Sequence, residues 1–438
     1  MFSKPTSLFP AFRPDFFAVF ICSLLAAAPL CLVTIGGWAS GILFASGLGS
    51  FLYLMTADRQ ASHPESTAEI RWVGVTLLLP IIAISVSSCF RGTLGLPLFD
   101  SPSRFLIAIP IFLFVVRKRV NIGCWLQYTL PLALVIILGD QYVFYHPYYW
   151  GGSRMATYFA DPLTFGQYSM TLGLMCLISI NRFSKDSAAL LALKIVGFAL
   201  GIYFSVQSGS RTGWLAAPIV IGFYILERNR KTWVRNLLSA VGVVSVMVAA
   251  TYLFSPIVHE RVGAAWHDLI TYNWIGVAPE TSIGRRITFL RIGIELLAER
   301  PLAGFGDHGF ASYLSDPRLA AFASPAARDF VVHSGFHNEL MTNAVRSGVW
   351  GVLSTLALFI VPCVIFSRAL RSASRQQSGN ALMGLTFVIC QLISGMSTEV
   401  LNLKFTASFY AVVIACLCGA SLVRPVVPKV DHSSAAVS

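Results

Sequence analysis

Charge is what this sequence has least of. Only 12% of its 438 residues are Asp, Glu, Lys or Arg, while 55% are hydrophobic and the mean hydropathy is +0.69. A soluble domain carries roughly 25% charged residues, so the deficit excludes a solvated globular chain and places the protein in a bilayer. CxxC pairs are also missing. The nine cysteines, among them Cys22, Cys124, Cys363 and Cys418, lie in or beside apolar runs, which excludes a disulfide framework or a cysteine-based zinc site. No period of 20–50 residues recurs, which excludes solenoids and gives no support to the inverted repeats of a transporter. The start, MFSKPTSLFPAFRPDFF, lacks a signal-peptide cleavage pattern, so the first apolar run is expected to stay as a membrane helix. The formal charge of +12 does not imply nucleic acid. Its positive residues sit in short loops between apolar runs, where membrane topology and lipid headgroups account for them.

What is abundant is long apolar sequence. A membrane helix needs about 20 mainly apolar residues. About twelve such stretches occur, near 16–34, 37–55, 72–88, 105–117, 122–143, 160–180, 189–209, 213–227, 237–255, 349–367, 381–397 and 405–423. Alternation along this series puts Arg117-Lys118-Arg119, Arg182 with Lys185, Arg228-Asn229-Arg230-Lys231, Arg368 with Arg371 and Arg375, and Arg424 with Lys429 on one side. By the positive-inside rule that side is cytoplasmic and holds both termini. The expected class is an all-α polytopic membrane protein: nine spans in residues 1–255, a large outer loop at 256–346, three spans in 347–423, and a cytoplasmic tail at 424–438. The loop holds His259, His267, His308, His333 and His337, five of the eight histidines. Within it, RRITFLRIGIELLAERP spaces Ile287, Leu290, Ile294 and Leu297 as on one helix face and ends at Pro301. That pattern is an amphipathic helix, lying on the membrane surface or capping the bundle.

Charges at the ends of membrane spans are costly and draw attention. Arg211 sits in QSGSRTGWLA, a Ser/Gly turn of almost no length on the outer side. One reading is an arginine snorkelling to headgroups. The other is an anion site, in which Ser208, Gly209 and Ser210 admit a ligand to the backbone and the guanidinium grips phosphate. Arg285-Arg286, with Arg291 a turn later, opens the amphipathic helix as a solvated face or as more of that site. In GGSRMATYFADPLTFGQ, Arg154 and Asp161 flank a loop on the same side, and Asp161-Pro162 has the form of an N-cap. Three arginine positions on one expected face point to a polyanion. His333 and His337 are four apart and would share a helix face as metal ligands do. Gly335 between them weakens helix, and neither HExxH nor a nearby cysteine is present. The other readings of His337 are a capping or packing residue, or a neutral general base. Glu339 is two residues on, where helical side chains diverge. Gly348 and Gly351 fit close helix packing as the chain re-enters the bilayer.

The motif order resembles the O-antigen ligases, within the wider O-antigen ligase/polymerase superfamily of membrane glycosyltransferases. His337-Asn338, nine residues from Glu339 to Ser347, then Gly348-Val349-Trp350-Gly351 fits that family's hallmark. QSGSRTGW is similar to its Ser-Gly-Ser-Arg turn. Ser282 to Gly306 is similar to its run of Ser, Arg, a helix and Pro-x-x-Gly-x-Gly. Counting back from Pro301 puts the family arginine on Arg286. Leu290 stands where the family often has tryptophan, which leaves Arg285 open. Arg154…Asp161-Pro162 resembles a further stretch, and spans, loop and motif order match over nearly the whole chain. The resemblance implies a GT-C-like fold and a monomeric, metal-independent, inverting transferase without cofactor. The donor would be an undecaprenyl-pyrophosphate-linked O-antigen and the acceptor the lipid A-core, on the periplasmic face of a Gram-negative inner membrane. It implies pyrophosphate held by Arg211 and Arg286 with Arg154, and His337 as catalytic base. Ser210, Asp161, Asn338, Gly348 and His333 would support them, His333 as an acceptor contact. A polymerase, a protein O-oligosaccharyltransferase or a lipid-linked glycan transporter are the alternatives.

Overall fold

The computed structural model describes residues 14–56, 67–143, 150, 154–228, 232–372 and 374–423. The N-terminal stretch Met1–Arg13, Gly151–Ser153, Asn229–Lys231 and the tail with Arg424 and Lys429 lie outside the described residues. Among those described, every regular element is helical. Among the described residues, nine helices are long and apolar enough to cross a membrane. They are α2 (Trp38–Thr56), α3 (Thr67–Arg91), α4 (Asp100–Lys118), α5 (Gly123–Val143), α7 (Ala188–Gln207), α9 (Trp233–Phe254), α14 (Glu339–Ala369), α15 (Arg375–Gly395) and α16 (Lys404–Leu422). The sequence suggested about twelve. The difference is α1 (Pro14–Ala27) and α6 (Pro162–Ile178), which are 14 and 17 residues long. It also includes α8 (Arg211–Arg228), whose ends carry Arg211, Glu227 and Arg228. All three pack in the same bundle.

Helix α16 is enclosed on all sides, against α4, α15 and α2, and α6 lies against α7. Gly173 and Gly201 let the α6 and α7 backbones meet, since a Cβ on either would come within about 3 Å of the facing glycine. In contrast, α9 touches the bundle through α8 and leaves Val241, Val246 and Leu253 exposed. A helix apolar all round with most of its surface uncovered is a lipid-facing helix. At one end lie the basic residues of the short connections, where Arg182 pairs with Glu227 at 2.9 Å and Arg368 with Glu69 at 3.5 Å. There the buried Lys194 of α7 donates to Gln127 of α5 and is ion-paired with Asp186 at 2.9 Å.

The opposite end carries α10 (Pro256–Ile270), α11 (Ser282–Glu299), the short α12 (Pro317–Ala320) and α13 (Pro325–Ser334). These enclose a second small core that includes Phe289, Ile292, Leu296, Phe305, Phe310 and Val331. The amphipathic helix forms as expected, but its buried face is Thr288, Phe289, Ile292 and Leu296. The stripe Ile287, Leu290, Ile294, Leu297 is half-buried or exposed. Two apolar faces share this helix, and periodicity alone could not say which one the core would take.

Residues Glu339–Arg346, assigned from the sequence to the outer loop, belong to α14, which is broken at Gly348 (φ +63). Here the structure departs from the packing role expected of Gly348 and Gly351. The Pro301-Leu302-Ala303-Gly304-Phe305-Gly306 loop plugs into the break. Val349 N donates to Pro301 O at 2.8 Å, Phe305 N to Val345 O at 2.8 Å and Gly306 N to Arg346 O at 3.0 Å. These bonds satisfy amides and carbonyls that an unbroken helix would pair internally. Arg91 donates to Ala303 O at 2.7 Å, fixing the loop to α3.

A Cβ at Gly348 would overlap the Pro301 carbonyl and would force a left-handed side-chain conformation. Gly348→Ala is therefore expected to cost about 1–3 kcal/mol in thermal unfolding of the detergent-solubilised protein. Gly222→Ala in α8, where nothing lies within 4 Å, is the control. A Gly348→Ala melting point no lower than that of Gly222→Ala would contradict the plug.

Candidate functional site

The site grows from the turn between α7 and α8. Helix α7 ends at Gln207, and Gly209 turns the chain at φ +63. Ser208 Oγ donates to Ser205 O at 2.8 Å and accepts from Ser210 N at 3.3 Å. Ser210 Oγ donates to Leu163 O at 3.2 Å, so this buried serine joins the turn to α6. Space above Gly209 is taken by two guanidiniums: a Cβ there would lie 3.4 Å from both Arg154 Nε and Arg261 Nε. Bare backbone lets these cations come down onto the turn.

Four arginines converge here. Arg154 Nε donates to Ser208 O at 2.7 Å, and its Nη2 is buried without a partner. Arg211 opens α8 and donates to Arg261 O at 3.1 Å and Ser282 Oγ at 3.0 Å. Arg261 comes from α10 and Arg286 from the second turn of α11. Burial, then the charge of Arg261, pushes the Arg154 pKa down to about 10, with Asp161 opposing. Burial and Arg211 likewise depress Arg286. The carboxylates near these cations are already engaged. Asp161 caps α6, accepting from Leu163 N at 2.8 Å and Thr164 N at 3.3 Å. Asp268, which faces Arg211, accepts from Ile283 N at 3.2 Å. Four cations against two committed carboxylates make a site short of negative charge, and an orphaned buried guanidinium nitrogen calls for a ligand.

The two candidate positions Arg285 and Arg286 separate cleanly. Arg285 pairs with Glu280 at 2.9 Å and lies over the Phe330 ring, whereas Arg286 feels Arg211 and His337. Arg291 turns to Tyr272 and Phe322. Arg261 was not singled out from the sequence, because HERVG on a helix looks like a solvated face until α10 is packed.

His337 closes the site. Helix α13 stops at Ser334 with Gly335 at φ +73, so His333 and His337 do not share a helix face and the metal-pair geometry does not form. His333 is exposed, 3.5 Å from Asp329. His337 itself has φ +49, a conformation that costs a non-glycine residue about 1–3 kcal/mol and persists only where its surroundings impose it. Asn338 then caps α14, its Oδ1 accepting from Met341 N at 3.0 Å. The imidazole stacks on Phe330 at 5.5 Å and Phe289 at 6.2 Å between ring centres. Its ring lies beside the Ser397 backbone and within the electrostatic reach of Arg286 and Asp161. Burial first, and Arg286 second, hold its pKa below the ordinary 6.5. Glu339 points elsewhere: it is buried and accepts from Val400 N at 2.6 Å, Leu401 N at 2.8 Å and Asn402 Nδ2 at 2.9 Å. It pins the turn that carries Ser397 and does not assist His337.

An apolar groove of about 520 Å³ runs from the arginines between α7, α8, α9 and α10. Val206, Trp214, Leu215 and Val248 line it, and Arg211 and Arg286 stand among its lining residues. A cationic clamp joined to a lipid-facing groove fits a ligand with an anionic head and a hydrocarbon tail. Removing one guanidinium should weaken binding of a polyprenyl pyrophosphate by about tenfold or more, the value of a charge-assisted hydrogen bond. Microscale thermophoresis should find that loss in Arg261→Ala and Arg286→Ala, and little change in Arg285→Ala. Equal effects at 285 and 286 would contradict the assignment.

Residues 196–356 match the family model described as O-antigen ligase. The matched segment runs from within α7 into α14 and holds Arg211, Arg261, Arg286, His337 and Gly348, while Arg154 and Asp161 precede it. An uncharacterized protein from Haemophilus influenzae is 20% identical over 335 residues, covering 74% of this chain and 79% of its own length. The matched segment, set in a helical bundle, is similar to the O-antigen ligase family and supports membership of that superfamily.

Proposed function

We propose that the protein is an inverting glycosyltransferase. It transfers O-antigen polysaccharide from undecaprenyl pyrophosphate to the lipid A-core oligosaccharide on the periplasmic face of a Gram-negative inner membrane. One observation carries this reading: Arg154, Arg211, Arg261 and Arg286 meet at the head of an apolar groove with His337 facing Arg286. The polyprenyl chain occupies the groove and the pyrophosphate lies among the guanidiniums. The acceptor hydroxyl attacks the anomeric carbon from the face opposite the pyrophosphate, and the bond from that carbon to the phosphate oxygen breaks. Its electron pair leaves with the pyrophosphate, where fixed guanidiniums stabilise charge that grows in the transition state. His337 takes the hydroxyl proton on its neutral imidazole. No metal or cofactor enters the scheme. The basic ends of the helices then face the cytoplasm, and the outer loop near 256–346 forms the catalytic domain.

The pH dependence follows from the surroundings of His337. A general base must be neutral, and burial with Arg286 disfavours its charged form, so activity is full above a pKa that lies below 6.5 and falls as pH drops through it. Arg286→Gln removes a lowering influence and should move this acid limb up. Asp161→Asn keeps a helix-capping side chain, removes a raising influence, and should move the limb down.

The decisive assay uses the purified full-length protein in liposomes with undecaprenyl-pyrophosphate-linked glycan and lipid A-core, in EDTA. Transfer to lipid A-core that disappears in His337→Ala is the expected outcome. Transfer onto a second lipid-linked glycan with none onto lipid A-core would instead identify a polymerase.

A further inference from the structure

A second cavity, of about 510 Å³, lies on the other side of the turn that presents His337. That volume is within the ~300–1,000 Å³ of small-molecule sites. Val331 to Phe336 form one wall, Glu399 and Asn402–Lys404 another, and Gly306–His308 with Thr342 and Arg346 the rest. The cavity shares no lining residue with the apolar groove. Phe336 faces the cavity while the next residue, His337, faces Arg286. Likewise Ser397 meets His337, and Glu399, two residues on, lines the cavity.

The lining mixes polar and apolar groups and is nearly free of unpaired charge. Arg346 is held by Asp307 at 2.7 Å and Lys404 by Asp100 at 3.0 Å. Glu399 is the exception. Its Oε1 accepts from Thr342 at 2.8 Å, and among the described residues no cation lies within ion-pair distance of it. Gly335 is what admits it, because a Cβ there would collide with the carboxylate. An unpaired carboxylate repels pyrophosphate and accepts strongly from neutral hydroxyls. Paired ions, Asn402, Thr342 and Ser334 around it offer donors and acceptors in turn, which suits a polyhydroxylated ring.

We propose that this cavity is the docking site of the acceptor saccharide, with Glu399 and His308 binding its hydroxyls. This rests on the transferase reading above. Inversion requires the nucleophile to enter opposite the leaving group, and the cavity and the arginines flank the 335–337 turn as that demands. His337 then stands between acceptor and pyrophosphate.

The test measures binding to the full chain in nanodiscs, using lipid-free core oligosaccharide released from lipopolysaccharide by mild acid. Glu399→Gln should weaken it by about tenfold, the scale of one hydrogen bond to a charged group, and His308→Ala, at an exposed position, should weaken it measurably. Binding of undecaprenyl pyrophosphate, the check on folding, should stay at the wild-type level in both. Unchanged oligosaccharide binding in both variants, or parallel loss of undecaprenyl pyrophosphate binding, would overturn the proposal. Wild-type protein that binds the oligosaccharide through Glu399 but transfers no glycan would overturn the transferase reading and leave the subsite standing. Transfer insensitive to Glu399→Gln would do the reverse.

Discussion

Two guanidiniums over one glycine turn and two more close enough to be felt by them, with two neighbouring carboxylates already accepting from helix N-terminal amides, set the terms for everything around them. Two like charges 4 Å apart repel by about 4 kcal/mol at an effective dielectric of about 20. The site therefore exists only because packing elsewhere holds the cations together. The arginines come from four separate parts of the chain: the segment before α6, the start of α8, α10 and α11. Each of those with a described bond is tied to backbone or hydroxyl oxygens, Arg154 to Ser208 and Arg211 to Arg261 and Ser282. Neutral tethers hold position without cancelling charge. That leaves the field intact for an anion, and most of all for one whose charge grows during reaction.

The scaffold that resists this repulsion is a set of three locks at the same end of the bundle. The Pro301–Gly306 loop fills the break in α14 at Gly348. Arg346 ties α14 to Leu98 O at 2.8 Å and to Asn402 at 3.0 Å. Glu339 anchors the 400–402 turn. His337 stands just before the Asn338 cap of α14, in a left-handed conformation (φ +49). An imidazole held this way keeps its ring against Phe330 and Phe289. The same turn that lies beside His337 also presents Glu399 to the second cavity, so the two cavities are mechanically joined.

Much of this was legible in the sequence, and the limits have physical causes. The apolar runs, the amphipathic helix, Arg154, Arg211, Arg286 and His337 could be read because each is marked by a local contrast of polarity or by a spaced motif. Arg261 could not, since an arginine on an exposed-looking helix is ordinary until α10 docks on the turn at Gly209. Gly348 was noticed but for the wrong reason: two glycines a turn apart suggest close packing, and only the partner loop reveals a broken helix. The choice between Arg285 and Arg286 needed Glu280, which takes the first away. Nine of the roughly twelve apolar runs form described helices of full spanning length and hydropathy, while α1, α6 and α8 are shorter or carry charged ends. The paired histidines looked like ligands only on the assumption of an unbroken helix, which Gly335 ends.

The most direct test of the central claim is a cryo-EM structure of the full chain with undecaprenyl pyrophosphate bound. The account predicts both phosphates within hydrogen-bond distance of the Arg154, Arg211, Arg261 and Arg286 side chains, with the polyprenyl chain in the groove beside Trp214 and Leu215. Phosphates seated away from those arginines, or a polyprenyl chain lying outside that groove, would contradict it.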